Sequence, residues 1–220
     1  MGNKENSGIR ITERDRERFR AMGLLEQELR EEGYFAIAGV DEAGRGPLAG
    51  PVVAAACILP PGVTFYGLND SKKMTEKRRD YLYDLLRDKA SAWSIAMVDQ
   101  GEIDRTDILS ATREAMRRAL LELPLTPDLA LIDAVHIPGL SFPIREEIRG
   151  DARHNVIAAA SVLAKVARDR MMVKWDEEYP EYGFASHKGY GTAAHIEVIH
   201  RLGPCPIHRR TFLRSILAEA

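Results

Sequence analysis

Short apolar runs alternate with longer amphipathic segments along the chain, and this pattern predicts a sheet flanked by helices. Four runs, at residues 35–40, 52–59, 92–98 and 129–133, have the length and composition of buried strands. Elsewhere, apolar residues recur three and four positions apart, which is typical of helices that bury one face. Such helices are expected at residues 11–32, 76–89, 106–123, 155–172 and 192–202, with a last short helix opening near residue 208. The sequence therefore predicts an α/β fold.

The first apolar run ends in two adjacent acids, Asp41 and Glu42, and a turn of Gly44, Arg45 and Gly46 follows. Neighbouring residues of a regular strand point to opposite faces, so we expect the backbone to leave the strand path at the acids, which the glycines permit. Close like charges raise each other's pKa unless a cation lies between them. The pair therefore suggests a site for a hard metal ion, although a solvated acidic turn remains the alternative.

Two further acids occupy comparable places. Asp133 ends the fourth apolar run, so it reaches the same sheet edge as Asp41 if the two strands lie parallel and side by side. Asp151 stands just before a long alanine-rich helix. Asp151 either contributes to the same site or only stabilises the start of the helix, because the helix dipole favours an acid at that position.

The turn after the first run also matches the spacing of a dinucleotide-binding fingerprint, Gly44-x-Gly46-x-x-Ala49. That motif works only where a helix starts at the glycines, because the helix N-terminus holds the pyrophosphate. Here Pro47 and Pro51 intervene and a second apolar run follows. We therefore expect a hairpin and reject a nucleotide site.

Lys72 and Lys73 precede the helix expected at residues 76–89, which Ser71 or Thr75 is placed to cap. Two lysines in that position suit phosphate contacts, although a solvated loop is the plainer interpretation.

The composition describes an ordinary globular protein: 220 residues, a formal net charge of −2 and 45% hydrophobic residues. The length suits about one to two domains and leaves ample room for a single core. No apolar run approaches the roughly 20 residues of a membrane helix, and the polar N-terminus is no secretory signal. We therefore expect no membrane partner and a reduced, cytoplasmic compartment. Zinc is not expected, because Cys205 and His208 form only half a site and Cys57 lies far away in sequence.

Six blocks, taken in order, resemble the bacterial ribonuclease HII family, the type 2 ribonucleases H. The resemblance runs from about Ile37 to Phe212. The blocks are Gly39-Val40-Asp41-Glu42-Ala43-Gly44-Arg45-Gly46-Pro47, Leu68-Asn69-Asp70-Ser71-Lys72-Lys73, Leu131-Ile132-Asp133, Gly150-Asp151, Ala158-Ala159-Ala160-Ser161-Val162-Leu163-Ala164-Lys165-Val166 and His187-Lys188-Gly189-Tyr190-Gly191-Thr192.

The resemblance implies a ribonuclease H-like architecture, a mixed β-sheet flanked by helices with a C-terminal helical subdomain. It implies a catalytic domain over residues 35–220, helical beyond about residue 175. Residues 1–34 are then an N-terminal extension, disordered over about residues 1–10 and helical after that. It further implies an endonuclease that hydrolyses the RNA strand of RNA–DNA hybrids and incises 5′ to single ribonucleotides in duplex DNA.

The site residues that the resemblance implies are four metal-binding and catalytic acids, Asp41, Glu42, Asp133 and Asp151. They would hold two divalent ions, Mg²⁺ or Mn²⁺, and cleavage would leave 5′-phosphate and 3′-hydroxyl ends. Ala134 and Arg149 stand where the family usually has Gly and Lys, and neither departure removes a ligand.

The expected substrate contacts are Gly44, Arg45 and Gly46 at the 2′-hydroxyl, Tyr190 on the sugar at the RNA–DNA junction, and Lys72 and Lys73 at phosphates. His187, Lys188 and Arg209 are weaker candidates, and a monomer is expected. The nearest alternative is a four-acid 3′–5′ exonuclease of the same architecture. A non-catalytic hybrid-binding module and a nucleotide-dependent oxidoreductase are more distant ones.

Overall fold

A five-stranded mixed sheet forms the centre of the molecule, which is described here by a computed structural model covering residues 9–133, 135–147 and 149–218. The strands are β1 Ile37–Ala43, β2 Val52–Ile58, β3 Ala92–Val98, β4 Leu129–Asp133 and β5 Ile144–Glu147. Their spatial order is β3-β2-β1-β4-β5. β1, β2 and β3 pair antiparallel, whereas β4 pairs parallel with β1 and β5 pairs parallel with β4.

Helices cover both faces of the sheet. They are α1 Glu13–Met22, α2 Leu24–Glu31, α3 Glu76–Lys89, α4 Gln100–Arg105, α5 Ile108–Leu121, α6 Asn155–Glu178, α7 Phe184–His187, α8 Ala193–Leu202 and α9 Arg214–Ala218. Short 3-10 turns lie at Ser71–Lys73, Gly150–Ala152, Pro180–Tyr182 and Arg210–Leu213. α6 and α3 pack on one face, and α5 packs on the other.

Alternation along β2 divides its residues between the two faces. Val53, Ala55 and Cys57 join the core under α6, while Val52 and Ala54 join the core under α5. Small residues bring α6 close to the sheet. A Cβ at Gly39 of β1 would lie only 2.1 Å from the backbone carbonyl carbon of Val156, so the first turn of α6 rests directly on β1.

The two helices that pack on the site's face of the sheet, α3 and α6, are capped in different ways. Thr75 accepts a hydrogen bond from the backbone N–H of Arg78 and starts α3, as expected. His154 provides no side-chain cap for α6. Instead Glu26 of α2, buried to 3% exposure, accepts from the N–H of Val156 at 2.9 Å. The N-terminal helices are therefore tied to the start of α6.

The expected α/β sheet with flanking helices is confirmed, including the hairpin of β1 and β2 and the parallel pairing of β1 with β4. A strand rather than a helix follows the glycines, so the rejection of a dinucleotide fingerprint is also confirmed. No helix within the described residues is long and apolar enough to cross a membrane. The expected disorder of residues 1–10 concerns mostly residues 1–8, which lie outside the described part of the chain. The domain division at residue 35 stays a prediction.

Several boundaries differ from expectation. The helix expected at 11–32 is interrupted at Gly23, and the one expected at 106–123 is divided into α4 and α5 because Asp107 caps a new helix with its carboxylate. α6 runs on to Glu178, six residues beyond the prediction. β5 was not predicted. The expectation that the backbone leaves the strand at Asp41 is wrong, because β1 continues through Ala43 with β2 as its partner.

We expect Glu26 to make folding stability depend on pH. Burial raises the pKa of Glu26 from 4.5 to about 7. Because the unfolded chain ionises this group first, stability is fully present below the unfolded pKa and falls as pH rises towards 7, by roughly 3 kcal/mol. Urea denaturation of Glu26→Gln at several pH values should show a flatter profile between pH 4.5 and 7, since the amide cannot ionise and its oxygen still accepts from Val156.

The control for this experiment is Glu28→Gln, an exposed acid on the same helix. It should leave the pH dependence of unfolding unchanged. Equal slopes for the wild-type protein and Glu26→Gln would show that Glu26 is not the titrating group.

Candidate active site

Asp41 and Asp133 lie side by side where two parallel strands part. The last residues paired between β1 and β4 are Val40 and Ile132, so each acid is the next residue on its strand. Beyond this point β1 still pairs with β2, while β4 still pairs with β5. The expectation that both acids reach the same edge is confirmed, and Asp41 is 7% exposed.

Asp151 reaches this edge from the 3-10 turn between β5 and α6. The backbone N–H of Gly150 donates to Asp133 Oδ1 at 3.0 Å, which ties the turn to the end of β4. Gly150 is buried tightly, because a Cβ there would lie 2.4 Å from Ile157 Cδ1. Arg149 adopts a left-handed conformation with φ 57°, which turns the chain from β5 into the 3-10 turn.

Burial and mutual repulsion perturb these acids. The pKa of Asp41 is raised well above 3.8 by burial and then by the charges of Glu42 and Asp133, against a hydrogen bond from Ser161. Burial also raises the pKa of Glu42, with Asp133 adding to the shift while Arg45, 3.5 Å away, opposes it. Asp41, Glu42 and Asp133 are thus within electrostatic reach of one another.

Asp151 belongs to the same group through Asp133. Burial raises the pKa of Asp151, and the charges of Asp70 and Asp133 raise it further, while Lys72 lowers it. Asp133 therefore acts on all three of the other acids. We call Asp41, Glu42, Asp133 and Asp151 the acid cluster.

The acid cluster fits a hard divalent cation by its chemistry, since its donors are carboxylate oxygens held close enough to repel one another. Among the described residues, however, no three Asp, Glu, His or Cys side chains form a ready-made metal cage. The contacts explain this, because Asp133 accepts from Gly150 and Glu42 leans towards Arg45.

The glycine-flanked arginine forms a turn directly beyond β1, the Gly-Arg-Gly turn at residues 44–46. Gly44 has φ 98°, and a Cβ there would lie 2.1 Å from Arg168 Nε. Gly46 is exposed, and the nearest atom to a Cβ there would be Tyr190 Cε1 at 4.0 Å. Tyr190 is 40% exposed, so it is not a core tyrosine. The turn and the Tyr190 ring therefore form one surface beside the acid cluster.

Lys72 and Lys73 are the basic candidates whose side chains are free to reach a phosphate. Lys72 and Lys73 are exposed; Lys72 lowers the pKa of Glu42 and Asp151, and Lys73 lies 3.6 Å from Asp70. Both remain available to phosphates.

His187, Lys188 and Arg209 do not suit phosphate contacts. Arg209 is fully buried and donates to three backbone carbonyls. The ring of His187 is held by the Tyr182 carbonyl and the Gly189 N–H, and the Lys188 ammonium donates to the Ala185 carbonyl. The expectation that these three residues contact the substrate is therefore corrected, because their polar groups already bond backbone atoms of the protein.

Sequence reasoning missed two buried polar residues that lie beside the acids, Ser161 and Glu147. Ser161 hydrogen-bonds Asp41 and lies 2.9 Å from the hydroxyl of Ser71. Glu147 of β5 is 7% exposed and pairs in register with Asp133. A lone serine in an alanine-rich helix was a usable signal, since a buried hydroxyl needs a partner. Of the two departures from the family pattern, Ala134 lies outside the described residues.

Comparison with known proteins agrees with this geometry. The sequence model of the family described as Ribonuclease HII matches residues 38–215. The chain belongs to this family. Among its relatives, the ribonuclease HII of Moorella thermoacetica is 52% identical over 204 residues, covering 93% of this chain and 99% of the relative. That of Ruminiclostridium cellulolyticum is 49% identical over 205 residues, covering 93% and 80%.

Solved structures show the same fold. The crystal structure of ribonuclease H2 from Pyrococcus horikoshii OT3 has a TM-score of 0.71 and 30% identity, covering 83% of this chain and 97% of that one. Bst-RNase HIII in complex with Mn²⁺ has a TM-score of 0.64 at 15% identity, covering 87% and 72%, and shares the fold alone. As a member of the ribonuclease HII family the chain is a ribonuclease H, a hydrolase that depends on divalent metal ions and acts on RNA–DNA hybrids.

Repulsion within the acid cluster should cost stability when no cation is bound. Asp41→Asn removes the most buried of the four charges and leaves an amide of the same shape. In EDTA near neutral pH, we expect its melting temperature to exceed that of the wild type by about 2–8 °C, which corresponds to roughly 1–2 kcal/mol for a chain of this length.

The matched control is Asp84→Asn on α3, whose carboxylate is 70% exposed and 4.0 Å from Arg170. It should leave the melting temperature unchanged. A melting temperature of Asp41→Asn equal to or below that of the wild type would show that the Asp41 charge does not strain the fold.

Proposed function

We propose that the chain incises duplex DNA 5′ to single embedded ribonucleotides, in addition to hydrolysing the RNA strand of hybrids, and that the cut leaves 5′-phosphate and 3′-hydroxyl ends. The observation that carries this proposal is the Gly-Arg-Gly turn, which exposes Arg45 and Gly46 beside Tyr190 directly beyond Asp41 and Glu42. A surface suited to one ribose thereby adjoins the acid cluster. We expect the protein to act as a monomer.

In this proposal Asp41, Glu42, Asp133 and Asp151 hold two ions, Mg²⁺ or Mn²⁺. Such ions, when bound, would supply an activated water and a stabilised leaving oxygen. Support comes from the donor chemistry of the acid cluster and from a neighbour of the same fold in complex with Mn²⁺. The raised pKa of Asp41, Glu42 and Asp151 is also consistent with a cluster whose charges a cation would balance.

Selectivity would come from what we call the ribose reader, the Gly-Arg-Gly turn together with Tyr190. A 2′-hydroxyl both donates and accepts hydrogen bonds, and it is the group that separates RNA from DNA. Gly46 is exposed and carries no side chain, which would let a sugar approach its backbone closely. The exposed Tyr190 ring offers an apolar face beside it.

Phosphates of the substrate would contact Lys72 and Lys73. Both side chains are exposed, and they lie in the 3-10 turn whose first residue, Ser71, contacts Ser161 beneath Asp41. The positive charge of Lys72 already acts on Glu42 and Asp151, so a phosphate near the acid cluster would lie within its field.

Asp41→Asn should abolish incision while the protein stays folded and still binds nucleic acid. The substrate is a covalently closed circular duplex with one ribonucleotide, which an endonuclease nicks and an exonuclease leaves intact. With Mg²⁺, we expect the wild type to cut 5′ to the ribonucleotide and Asp41→Asn to be slower by roughly 10³-fold or more, since an essential ion ligand is lost.

Asp84→Asn serves again as the control and should cut at the wild-type rate. Incision by Asp41→Asn at near the wild-type rate would remove Asp41 from the site. An intact circle with the wild-type enzyme would reject the proposed incision.

Tyr190→Ala should lose roughly 10- to 100-fold in kcat on the same circular substrate, because an aromatic contact with the nucleotide contributes about 1–3 kcal/mol. Tyr190→Phe keeps the ring face and should retain most of the activity. Phe35→Ala, which removes an aromatic side chain that is 71% exposed, is the matched control. Full activity of Tyr190→Ala would exclude the ribose contact.

A further inference from the structure

Arg209 is fully buried and uses its guanidinium on the backbone of the chain segment that follows β1. Nε donates to the Gly50 carbonyl at 2.9 Å, Nη1 to the Arg45 carbonyl at 2.9 Å and Nη2 to the Gly44 carbonyl at 2.6 Å. The backbone N–H of Arg209 also donates to the Leu48 carbonyl at 2.9 Å. One residue near the C-terminus therefore holds both ends of the segment at residues 44–50.

These contacts determine where the amides of the Gly-Arg-Gly turn point. A peptide unit is planar and trans, so its N–H points opposite to its carbonyl. Holding the Gly44 carbonyl inward aims the N–H of Arg45 outward, and holding the Arg45 carbonyl inward aims the N–H of Gly46 outward. The guanidinium fork holds both carbonyls at once in a fixed plane. Two donors are thereby presented on the exposed side of the turn.

His208, the preceding residue, reaches Tyr190 through a second histidine. The N–H of Cys205 donates to His208 Nδ1 at 3.0 Å, so the proton of His208 is on Nε2. His208 Nε2 lies 3.0 Å from His195 Nε2, and His195 Nδ1 lies 2.9 Å from the Tyr190 carbonyl. Since a carbonyl only accepts, His195 carries its proton on Nδ1 and accepts from His208. Burial lowers the pKa of both rings to about 4, so both are neutral near pH 7.

Further backbone contacts join the same segments. The N–H of Leu48 donates to the Gly189 carbonyl at 2.8 Å, and Ala49 forms an antiparallel bridge with His208. Residues 44–50, 189–190 and 208–209 come from three separate places in the chain. Leu48 and Gly189 join two of these segments directly, and Arg168 donates to the carbonyls of Ala49 and Lys188. Arg209 is the residue that extends the connections to the carbonyls of Gly44 and Arg45.

We propose that His208 and Arg209 are positioning residues that lock the two halves of the ribose reader, the Gly-Arg-Gly turn and Tyr190, into one rigid surface. This inference rests on the proposed function. Neither residue touches the substrate. Arg209 aims the amides of the turn, and His208, acting through His195, fixes the backbone of Tyr190, so that a ribose meets both contacts at a constant separation.

Arg209→Lys keeps the charge but loses the planar fork, so it cannot hold two neighbouring carbonyls at once. On the duplex with one ribonucleotide we expect kcat to fall roughly 10- to 100-fold with little change in KM, because positioning acts on the transition state. Met116→Ala is the control. It truncates a fully buried side chain of α5 on the opposite face of the sheet, so it lowers stability without touching the reader.

Both variants are assayed well below their melting temperatures. Equal losses of kcat in Arg209→Lys and Met116→Ala would mean that stability alone is responsible, and a kcat of Arg209→Lys within twofold of the wild type would mean that the fork is dispensable. Either result overturns the proposal.

A pair of substitutions at His195 separates positioning from stability without altering Arg209. Asn places its amide near the Nδ1 position and still donates to the Tyr190 carbonyl, whereas Gln reaches the Nε2 position and contacts only His208. Each leaves one buried partner unpaired, so the two should melt at similar temperatures. We expect His195→Asn to keep kcat within about threefold and His195→Gln to lose roughly tenfold or more. Equal kcat values for the two variants would show that the hydrogen bonds from His208 through His195 to Tyr190 do not position the ring.

Nuclear magnetic resonance tests the lock without any substrate. The 15N chemical shifts of the wild type should place the proton on Nδ1 of His195 and on Nε2 of His208. The opposite tautomers would contradict the proposed hydrogen bonds from His208 through His195 to Tyr190. In Arg209→Lys the backbone order parameter of Gly46 should fall from about 0.85 to below about 0.6, and an unchanged value would overturn the clamp. If the wild type fails to incise at the ribonucleotide but the tautomers and the order parameter are as expected, the proposed function is wrong. In that case the proposal that His208 and Arg209 fix the turn and Tyr190 is still supported.

Discussion

Repulsion between carboxylates at the point where two parallel strands separate is the constraint on which the site depends. Asp41 and Asp133 follow the last paired residues of β1 and β4, so the strand pairing itself forces their charges together. Burial makes this costly, and the surroundings offset the cost with Ser161 beneath Asp41 and with Arg45 and Lys72 beside Glu42. The architecture thus concentrates negative charge at the site proposed here for divalent ions.

Helix α6 makes this concentration possible because it connects the sheet to the remaining acid. Its first turn rests on Gly39 of β1, where there is no room for a Cβ. The 3-10 turn ahead of it carries Asp151 and is tied to Asp133 through the N–H of Gly150. Glu26 of α2 accepts from the N–H of Val156, so the N-terminal helices help to fix the first turn of α6.

Local pattern was sufficient for most of the fold, whereas the set of four acids came from the family resemblance and stays a prediction as a metal site. β3 and β4 were predicted to the residue, because β3 is apolar apart from Ser94 and β4 is apolar up to its final acid, Asp133. β5 could not be predicted from the sequence, because Ile144–Glu147 contains one apolar and three charged residues and is buried only at Glu147. The break at Gly23 was missed because glycine is tolerated within helices and Gly23 itself keeps an αR conformation.

What the sequence could not show is how residues far apart serve one surface. Arg209 reads as a basic residue for phosphates, yet in the fold it is fully buried and donates to carbonyls more than 150 positions away. Burying a guanidinium costs free energy that an apolar side chain would not, so stability alone does not account for its placement. A planar fork that fixes neighbouring peptide units does account for it, because orientation of those units is something an apolar contact cannot supply. His195 and His208 follow the same logic, since directed hydrogen bonds between neutral rings fix the Tyr190 backbone in a way that hydrophobic packing, which has no direction, does not.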